Sequence, residues 1–228
     1  MRRLESTTKL YKIPDASIRR LPIYYHLLHA MLDTGVQTVS TTVIAEALNL
    51  DPTQVRKDIE VTGIVGKPKV GYPLETLVRW IEKFLGWHEI NEAVLVGAGS
   101  LGTALLGYRK FRELGLRVVA AFDADREKVG RPLAGVEVKH LDELAPFCAA
   151  KGIRLGVIAT PSAAAQEVAD RMVAGGIRAI WNFAPVHLRT PVSVIVQNED
   201  LYHSLASLSF RLERMLSAER RNEDTTHG

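Results

Sequence analysis

Residues 93–102 read Ala93-Val94-Leu95-Val96-Gly97-Ala98-Gly99-Ser100-Leu101-Gly102. A short apolar run enters a turn whose glycines follow the spacing G-x-G-x-x-G, and a helical pattern begins at Leu101. A second apolar run, Arg117–Phe122, ends on Asp123, 21 residues after Gly102. Strand, glycine turn, helix, strand and acid, in that order, form the unit that holds a dinucleotide. Gly97 permits the tight turn, Gly99 lets a pyrophosphate approach the backbone, and Gly102 lets the helix pack against the strand. The free N–H groups of the loop that Ala98, Ser100 and Leu101 complete, with the helix dipole, attract phosphate. A carboxylate at Asp123 accepts hydrogen bonds from ribose hydroxyls and repels a 2′-phosphate, which favours NAD over NADP. Arg126 and Lys128 lie close enough to soften that preference.

The motif stands in mid-chain, and about ninety residues precede it. Reading backwards, Pro73–Leu85 is helical, with Leu77, Trp80, Ile81 and Phe84 expected inward. Gly63–Tyr72 is short, bounded by glycine and carries Lys67 and Lys69 around Pro68, so it reads as a basic hairpin. Asp51-Pro52-Thr53-Gln54 opens a helix, with Asp51 at the N-cap and Pro52 at its first position; that helix carries Arg56 and Lys57 and should stop near Gly63. Ser40 or Thr41 caps an earlier helix with Val43, Ile44, Ala47 and Leu48 as its apolar face. Before it, Val36–Val39 is extended. The helix from Pro14-Asp15 places Ile18, Leu21, Tyr25, Leu28 and Leu32 on one side and ends near Gly35; residues 1–12 are polar. Helices, a helix-turn-helix and a basic hairpin make a winged-helix plan. There Lys57 can read bases, Arg56 can hold phosphate, and Lys67 and Lys69 can reach the minor groove or phosphates; taken by themselves, Arg56 and Lys57 fit a solvated helix face slightly better.

Reading forwards, strands are expected at 93–96, 117–122, 136–138, 155–159, 179–182 and 193–197, alternating with helices at 101–114, 141–151 and 163–174. This is a doubly wound α/β sheet. A last helix, Leu201 to about Arg220, carries Leu205, Leu208, Leu212, Met215 and Leu216 on one stripe, ahead of a polar end. The sheet already has helices for both faces, so this stripe calls for another surface, such as a second subunit.

Composition narrows the class. The chain has 228 residues, 46% hydrophobic and 24% charged, enough for two small cores. The net charge of +3 lies in the front part: residues 1–86 hold 12 Lys and Arg against 9 Asp and Glu, the remainder 17 against 17. No apolar run approaches the ~18 residues of a membrane span, and Met1–Lys9 lacks the apolar stretch of a signal peptide. A single cysteine, Cys148, excludes an intrachain disulfide and a cysteine-clustered metal site, and suits a reducing cytoplasm.

Ligands of an open α/β sheet lie beyond the carboxyl ends of its strands. Thr160-Pro161 and Asn182-Phe183-Ala184-Pro185 both fall there, and Phe183 and Pro185 can line an apolar nicotinamide pocket; plain turn chemistry explains the same residues equally well. A dehydrogenase also needs a proton carrier near that pocket. His187 is the best-placed histidine but has no evident partner, while His140 and His203 read as surface residues, Cys148 as core and Tyr108 as packing or interface. The result is a cofactor site without a convincing reaction centre, and no enzyme is expected.

Taken together, Arg20-Leu21-Pro22-Ile23-Tyr24-Tyr25, Gln54-Val55-Arg56-Lys57-Asp58, Gly71-Tyr72, Val96 to Gly102, Phe122-Asp123 and Asn182 to Pro185 resemble, in order and spacing, the Rex redox-sensing transcriptional repressors. The resemblance runs from Ile13 to about Phe210. It implies a winged-helix DNA-binding domain at 1–86, a Rossmann-like NAD(H)-binding domain at 87–200, and a C-terminal helix and tail at 201–228 exchanged between the subunits of a homodimer. It implies a palindromic double-stranded operator, released when NADH binds, with NAD⁺ a weak or opposing ligand. Thr53, Gln54, Arg56, Lys57, Lys67 and Lys69 would meet DNA, and Gly97 to Gly102, Asp123, Lys128, Thr160, Pro161, Asn182, Phe183 and Pro185 would meet the cofactor. Tyr108, Asp200 and His26 would form the switch.

The chain departs from the family pattern after Asp58, where Ile59-Glu60-Val61-Thr62-Gly63 replaces Leu-Ser-Tyr-Phe-Gly; at Lys67-Pro68-Lys69, where a basic residue and a glycine are usual; and at His26, where an arginine is usual. These changes keep open an NAD(H)-binding scaffold with altered or lost specific DNA binding. A separate alternative is an NAD-dependent oxidoreductase with a regulatory front domain, which would work through His187.

Overall fold

The computed structural model describes residues 13–199 and 201–226. Asp200, assigned above to the switch, and the polar residues 1–12 lie outside the described residues. The chain divides into two units. The first runs to Ile90 and takes in Arg112–Gly115; the second holds Asn91–Phe111 and the chain from Leu116 onward.

In the first unit, α1 (Asp15–Leu32) follows Pro14 and buries Ser17, Leu21, Tyr24, Tyr25 and Leu28. The stripe is thus rotated from the expected one: Ile18 is exposed, and Tyr24, at the heart of this core, takes its place. The helix continues through Pro22. α2 (Thr41–Leu48) begins where the Ser40 hydroxyl accepts the N–H of Val43, and stops at Asn49 in the left-handed region, φ 53°. It buries Ile44 and Ala45, while Val43 and Ala47, expected on the apolar face, are exposed. α3 (Pro52–Glu60) starts with the Asp51 carboxylate accepting the N–H of Gln54, as the sequence indicated. It ends three residues before Gly63, because Thr62 and Gly63 turn back onto the Ile59 and Glu60 carbonyls.

The wing has little strand in it. β1 (Thr38–Val39) pairs antiparallel with β2 (Tyr72–Pro73), and residues 63–71 close on themselves only at Lys67 and Gly71. α4 (Leu74–Leu85) buries Leu74, Leu77, Val78 and Ile81. Trp80, expected inward, is 40% exposed: the buried stripe passes through Leu77 and Ile81 and leaves it at the edge.

The second unit is a seven-stranded sheet of order β5-β6-β4-β3-β7-β8-β9, formed by β3 (Asn91–Val96), β4 (Leu116–Asp123), β5 (Pro132–Leu133), β6 (Val136–His140), β7 (Leu155–Ile158), β8 (Ala179–Asn182) and β9 (Ile195–Asn198). All neighbours are parallel except β5, which turns back on β6. The chain builds outward from β3 to β4 and β6, then returns to lay β7, β8 and β9 on the other side. That reversal opens a crevice between the carboxyl ends of β3 and β7, the doubly wound arrangement that binds ligands there.

The helix expected over 101–114 is broken. α5 (Ser100–Gly107) stops where Tyr108 adopts an extended backbone, and only a single turn, α6 (Lys110–Glu113), follows. A 3₁₀ turn at Leu141–Glu143 leads into α7 (Leu144–Lys151), and α8 (Ser162–Ala174) precedes β8. Val94, Val96, Phe122, Leu144, Ile158, Val168 and Met172 lie in one buried cluster with Cys148. α9 (Leu201–Thr226) extends beyond Arg220, where the sequence reading ended it, into the polar residues that follow. Its Leu205, Leu208, Leu212 and Met215 are exposed, together with Tyr202 and Phe210.

Candidate functional site

At the end of β3 the backbone turns at Gly97 with φ 106°, a conformation that glycine adopts without strain. A Cβ there would stand 2.5 Å from the Ala159 carbonyl oxygen, so β3 and β7 close directly over this residue. At Gly102 a Cβ would stand 1.9 Å from the Gly97 carbonyl, so α5 packs on its own turn only because the side chain is absent. Gly99 differs: nothing lies within 4 Å of its would-be Cβ. Two glycines therefore shape the turn, and the third faces open space at the N-terminus of α5, where orphan N–H groups favour an anion.

Asp123 ends β4 beside this turn. Its Oδ2 accepts the N–H of Ala98 at 2.8 Å and the Lys128 ammonium at 3.0 Å, and its Oδ1 accepts the N–H of Asp125 at 2.9 Å. Burial raises the carboxyl pKa, but these hydrogen bonds and the Lys128 charge outweigh it and hold the group below the usual carboxylate range. Asp123 thus ties the glycine loop to the second strand and stays ionised. Two carboxylate oxygens have room for about four hydrogen bonds, which leaves acceptor capacity for a ribose hydroxyl. Lys128, also 3.8 Å from Asp125, offsets the charge that would reject a 2′-phosphate.

Across the crevice, the Thr160 hydroxyl oxygen is buried without a hydrogen-bond partner. A buried hydroxyl left unpaired is costly, and one at the end of β7, beside Gly97, fits a site that a polar ligand completes. Pro161 next to it leads into α8. Asn182 is fully buried, and its amide is spent inside the protein: Nδ2 donates to the Ala184 carbonyl, the Val186 carbonyl and Asn198, and Oδ1 accepts the N–H of Ala184. It shapes the 183–186 turn from beneath. Phe183 packs on Trp181 with ring centres 4.8 Å apart. Pro185 lines a cavity of about 330 Å³ with Val186, His187, Asn198, Glu199 and Tyr202. Cys148 is buried, and burial pushes its thiol up to about 11, which suits a core residue. Among the described residues, no group of three or more His, Cys, Asp and Glu side chains is arranged to hold a metal ion.

In the first unit, Thr53, Arg56, Lys57, Lys67 and Lys69 are all exposed. Arg56, Lys67 and Lys69 share a groove of about 530 Å³ with Glu60, Ser40 and Thr41, between α3 and the wing. Glu60 lies 3.9 Å from Arg56, so the acid pairs with a base of its own helix. The wing turn bonds Val70 N–H to the Lys67 carbonyl, with Pro68 and Lys69 between them. Lys69 sits at φ 62°, where a turn of this kind normally carries glycine. A lysine kept there places charge at the tip at a backbone cost of about 1 kcal/mol.

Gln54 is placed differently from the other candidates. Its Nε2 donates to Asp58 at 3.0 Å, and Asp58 anchors a network that sequence reading did not assign. The buried Asp58 carboxylate receives Arg20 through two bonds, 2.6 and 2.9 Å, and the Tyr24 hydroxyl at 2.6 Å. Burial alone would raise its pKa; donors from Arg20, Tyr24, Ser17 and Gln54 win, and it falls to about 2. Burial first, and then the hydrogen bond to the Asp58 carboxylate, push the Tyr24 hydroxyl upward against the opposing pull of Arg20. α3 is thus bolted to α1 by a fully satisfied buried charge. Of the switch candidates, His26 is exposed on α1 with its ring edge-on to Tyr25. Tyr108, half exposed, packs on Phe111 at 4.8 Å.

Comparisons with known proteins follow this division. Residues 88–186 match the family model described as "CoA binding domain", and residues 12–59 match "Putative DNA-binding protein N-terminus". A relative from Treponema denticola, the "Redox-sensing transcriptional repressor Rex", is 48% identical over 86% of this chain and 94% of its own. Among solved structures, RSP in complex with beta-NAD+ and operator DNA is 34% identical, with a TM-score of 0.86, over 92% of this chain and 98% of that one. RSP in complex with beta-NADH is 32% identical, with a TM-score of 0.81, over 92% of this chain and 98% of that one.

Proposed function

The chain belongs to the Rex family of redox-sensing transcriptional repressors, and from that premise we propose that it binds operator DNA through its first unit and lets go when NADH occupies its second. The observation that carries this reading is that one chain holds both the Gly97–Asp123 turn, with its open Gly99 face and unpaired Thr160 hydroxyl, and the exposed bases of α3 and the wing. Gly99 to Gly102 present N–H groups to the pyrophosphate, Asp123 takes a ribose hydroxyl, and Thr160 and Pro161 close the opposite wall. Phe183 and Pro185 border the space for the nicotinamide, on a turn that Asn182 holds in shape.

Discrimination between the two redox forms follows from charge. The oxidised nicotinamide is a cation and the reduced one is neutral, and an apolar pocket penalises the cation. A ligand that prefers one arrangement of the protein shifts the population towards it. The second copy needed for a palindromic site is supplied by α9, whose Leu205, Leu208, Leu212 and Met215 stand exposed along one helix. On DNA, Lys57 reads a base edge, Thr53, Arg56, Lys67 and Lys69 hold phosphates, and Gln54 is oriented by Asp58. His26 and Tyr108, with Asp200, carry the switch between the two states. No helix among the described residues is long and apolar enough to cross a membrane, and we place the protein in the cytoplasm with the DNA it regulates.

The test is fluorescence anisotropy of a labelled fragment of the protein's own promoter, titrated with protein and then with NADH or NAD⁺ at fixed salt. Specific binding that NADH reverses supports the reading. Binding no tighter than to random DNA, with NADH still bound, would instead make the chain a cofactor-binding scaffold.

A further inference from the structure

We infer that Trp181 is a positioning residue that couples the Asn182–Pro185 turn to the start of α9. The inference rests on the reading that NADH binds in the second unit and releases DNA. Trp181 lies on β8 with its ring between Phe111, at 5.3 Å, and Phe183, at 4.8 Å. Its indole N–H donates to Glu199 at 2.8 Å. Glu199 stands two residues ahead of α9, and its own N–H donates to the Asn182 carbonyl at 2.8 Å. The amide of Asn182 adds a third link, to the side chain of Asn198 at 2.9 Å. Residues 198–199 are therefore fastened to the end of β8 by three bonds, and two of them come from Asn182, the residue that also shapes the turn.

The same two segments face each other across the cavity of about 330 Å³, with Pro185, Val186 and His187 on one side and Asn198, Glu199 and Tyr202 on the other. A ring seated against Phe183 and Pro185 presses on the turn. Trp181 cannot yield independently, because Phe111 backs it and Glu199 holds its N–H through a charge-assisted bond. Displacement at the turn is therefore delivered to Glu199 and from there to the first turn of α9. Asn182 fixes the resting geometry. Trp181 is the stiff member that transmits the change, and it acts through Glu199 rather than by touching DNA. It also continues a line of rings from Phe183 through Phe111 to Tyr108, so Tyr108 and the start of α9 answer to one side chain.

The experiment compares full-length wild type with W181F, which keeps an aromatic ring and removes the donor, and with E199A, which removes the acceptor. NADH affinity is read from the nucleotide's own fluorescence, and release from the anisotropy of a labelled promoter fragment. The expected result is a split: NADH affinity within about threefold of wild type, but about tenfold or more NADH needed for half-release. The double variant should be no worse than W181F alone, since both changes cut the same bond. Equal shifts in affinity and in release would make Trp181 merely part of the binding wall and overturn the inference, as would release unchanged from wild type. E199A carries the same test if W181F does not fold. Wild type that binds DNA but ignores saturating NADH fails the functional reading itself, which separates that failure from a failure of Trp181.

Discussion

Two carboxylates, one in each unit, are held ionised below the usual range and do opposite things. Asp58 is sealed in the first unit, with Arg20, Tyr24 and Gln54 filling its acceptor positions. Asp123 stands at the end of β4 with three donors, and capacity remains. The first is fully spent on architecture: it fixes α3 on α1. The second is only partly spent, and the remainder faces the crevice. The first unit thus rests on a satisfied buried charge, and the second keeps groups with hydrogen-bonding capacity to spare, Asp123 and the Thr160 hydroxyl.

The sharpest way to break this contrast is Asp58→Ala. It strands Arg20 and Tyr24, and losing one partner of a buried pair costs about 3–5 kcal/mol. Trp80 and Trp87 report on the first unit and Trp181 on the second, so urea unfolding followed by tryptophan emission in single-tryptophan variants should show the loss in the first unit alone. Gly102→Ala attacks the other side. Its Cβ would meet the Gly97 carbonyl at 1.9 Å. Calorimetry should show NADH affinity falling by about a hundredfold, about 2.7 kcal/mol, with DNA binding retained but no longer answering NADH.

The pH dependence follows from Asp58. Its folded pKa of about 2 lies below the 3.8 usual for an aspartate. The ionised form therefore favours the folded state, by about 2 kcal/mol that is complete above about pH 4 and lost as pH falls towards 2. Thermal unfolding of the first unit should become easier across that window, and Asp58→Asn should flatten the profile. Asp123→Asn is milder. It keeps an acceptor for the Ala98 N–H and removes the charge, so NADH affinity drops about tenfold, about 1.4 kcal/mol, with unfolding almost unchanged. The smallest effect belongs to Lys69→Gly. Relieving φ 62° stabilises the wing by roughly 0.5 kcal/mol, while the salt slope of DNA binding falls by about one. An unchanged slope would show that Lys69 does not reach phosphate.

What could be read from the sequence was local or periodic. The glycine spacing, the alternation of strands and helices, the Asp51-Pro52 helix start and the Ser40 cap all depend on neighbours within a few residues, and each is present in the structure. Pairings across long sequence separations could not be read. Arg20 and Asp58 are 38 residues apart, and Trp181 and Glu199 are 18 apart; nothing in either segment alone announces the other. Helical phase was the other weak point. Val43, Ala47 and Trp80 fit an apolar stripe by spacing, but adjoining positions offered another stripe a fraction of a turn away, and tertiary packing chose that one. The break at Tyr108 was hidden because Leu101–Leu114 carries no proline, and of its two glycines Gly102 belongs to the turn and Gly107 is tolerated inside a helix.

The apolar face of α9 has a consequence in genetics. On the pairing proposed above for this helix, the chain cannot act as an isolated gene product, because its output is set by whichever copies it meets. A truncated allele that keeps α9 but lacks the winged helix should therefore be dominant: it would sequester intact chains in pairs with one DNA-reading half, and repression would fail even beside a sound copy of the gene.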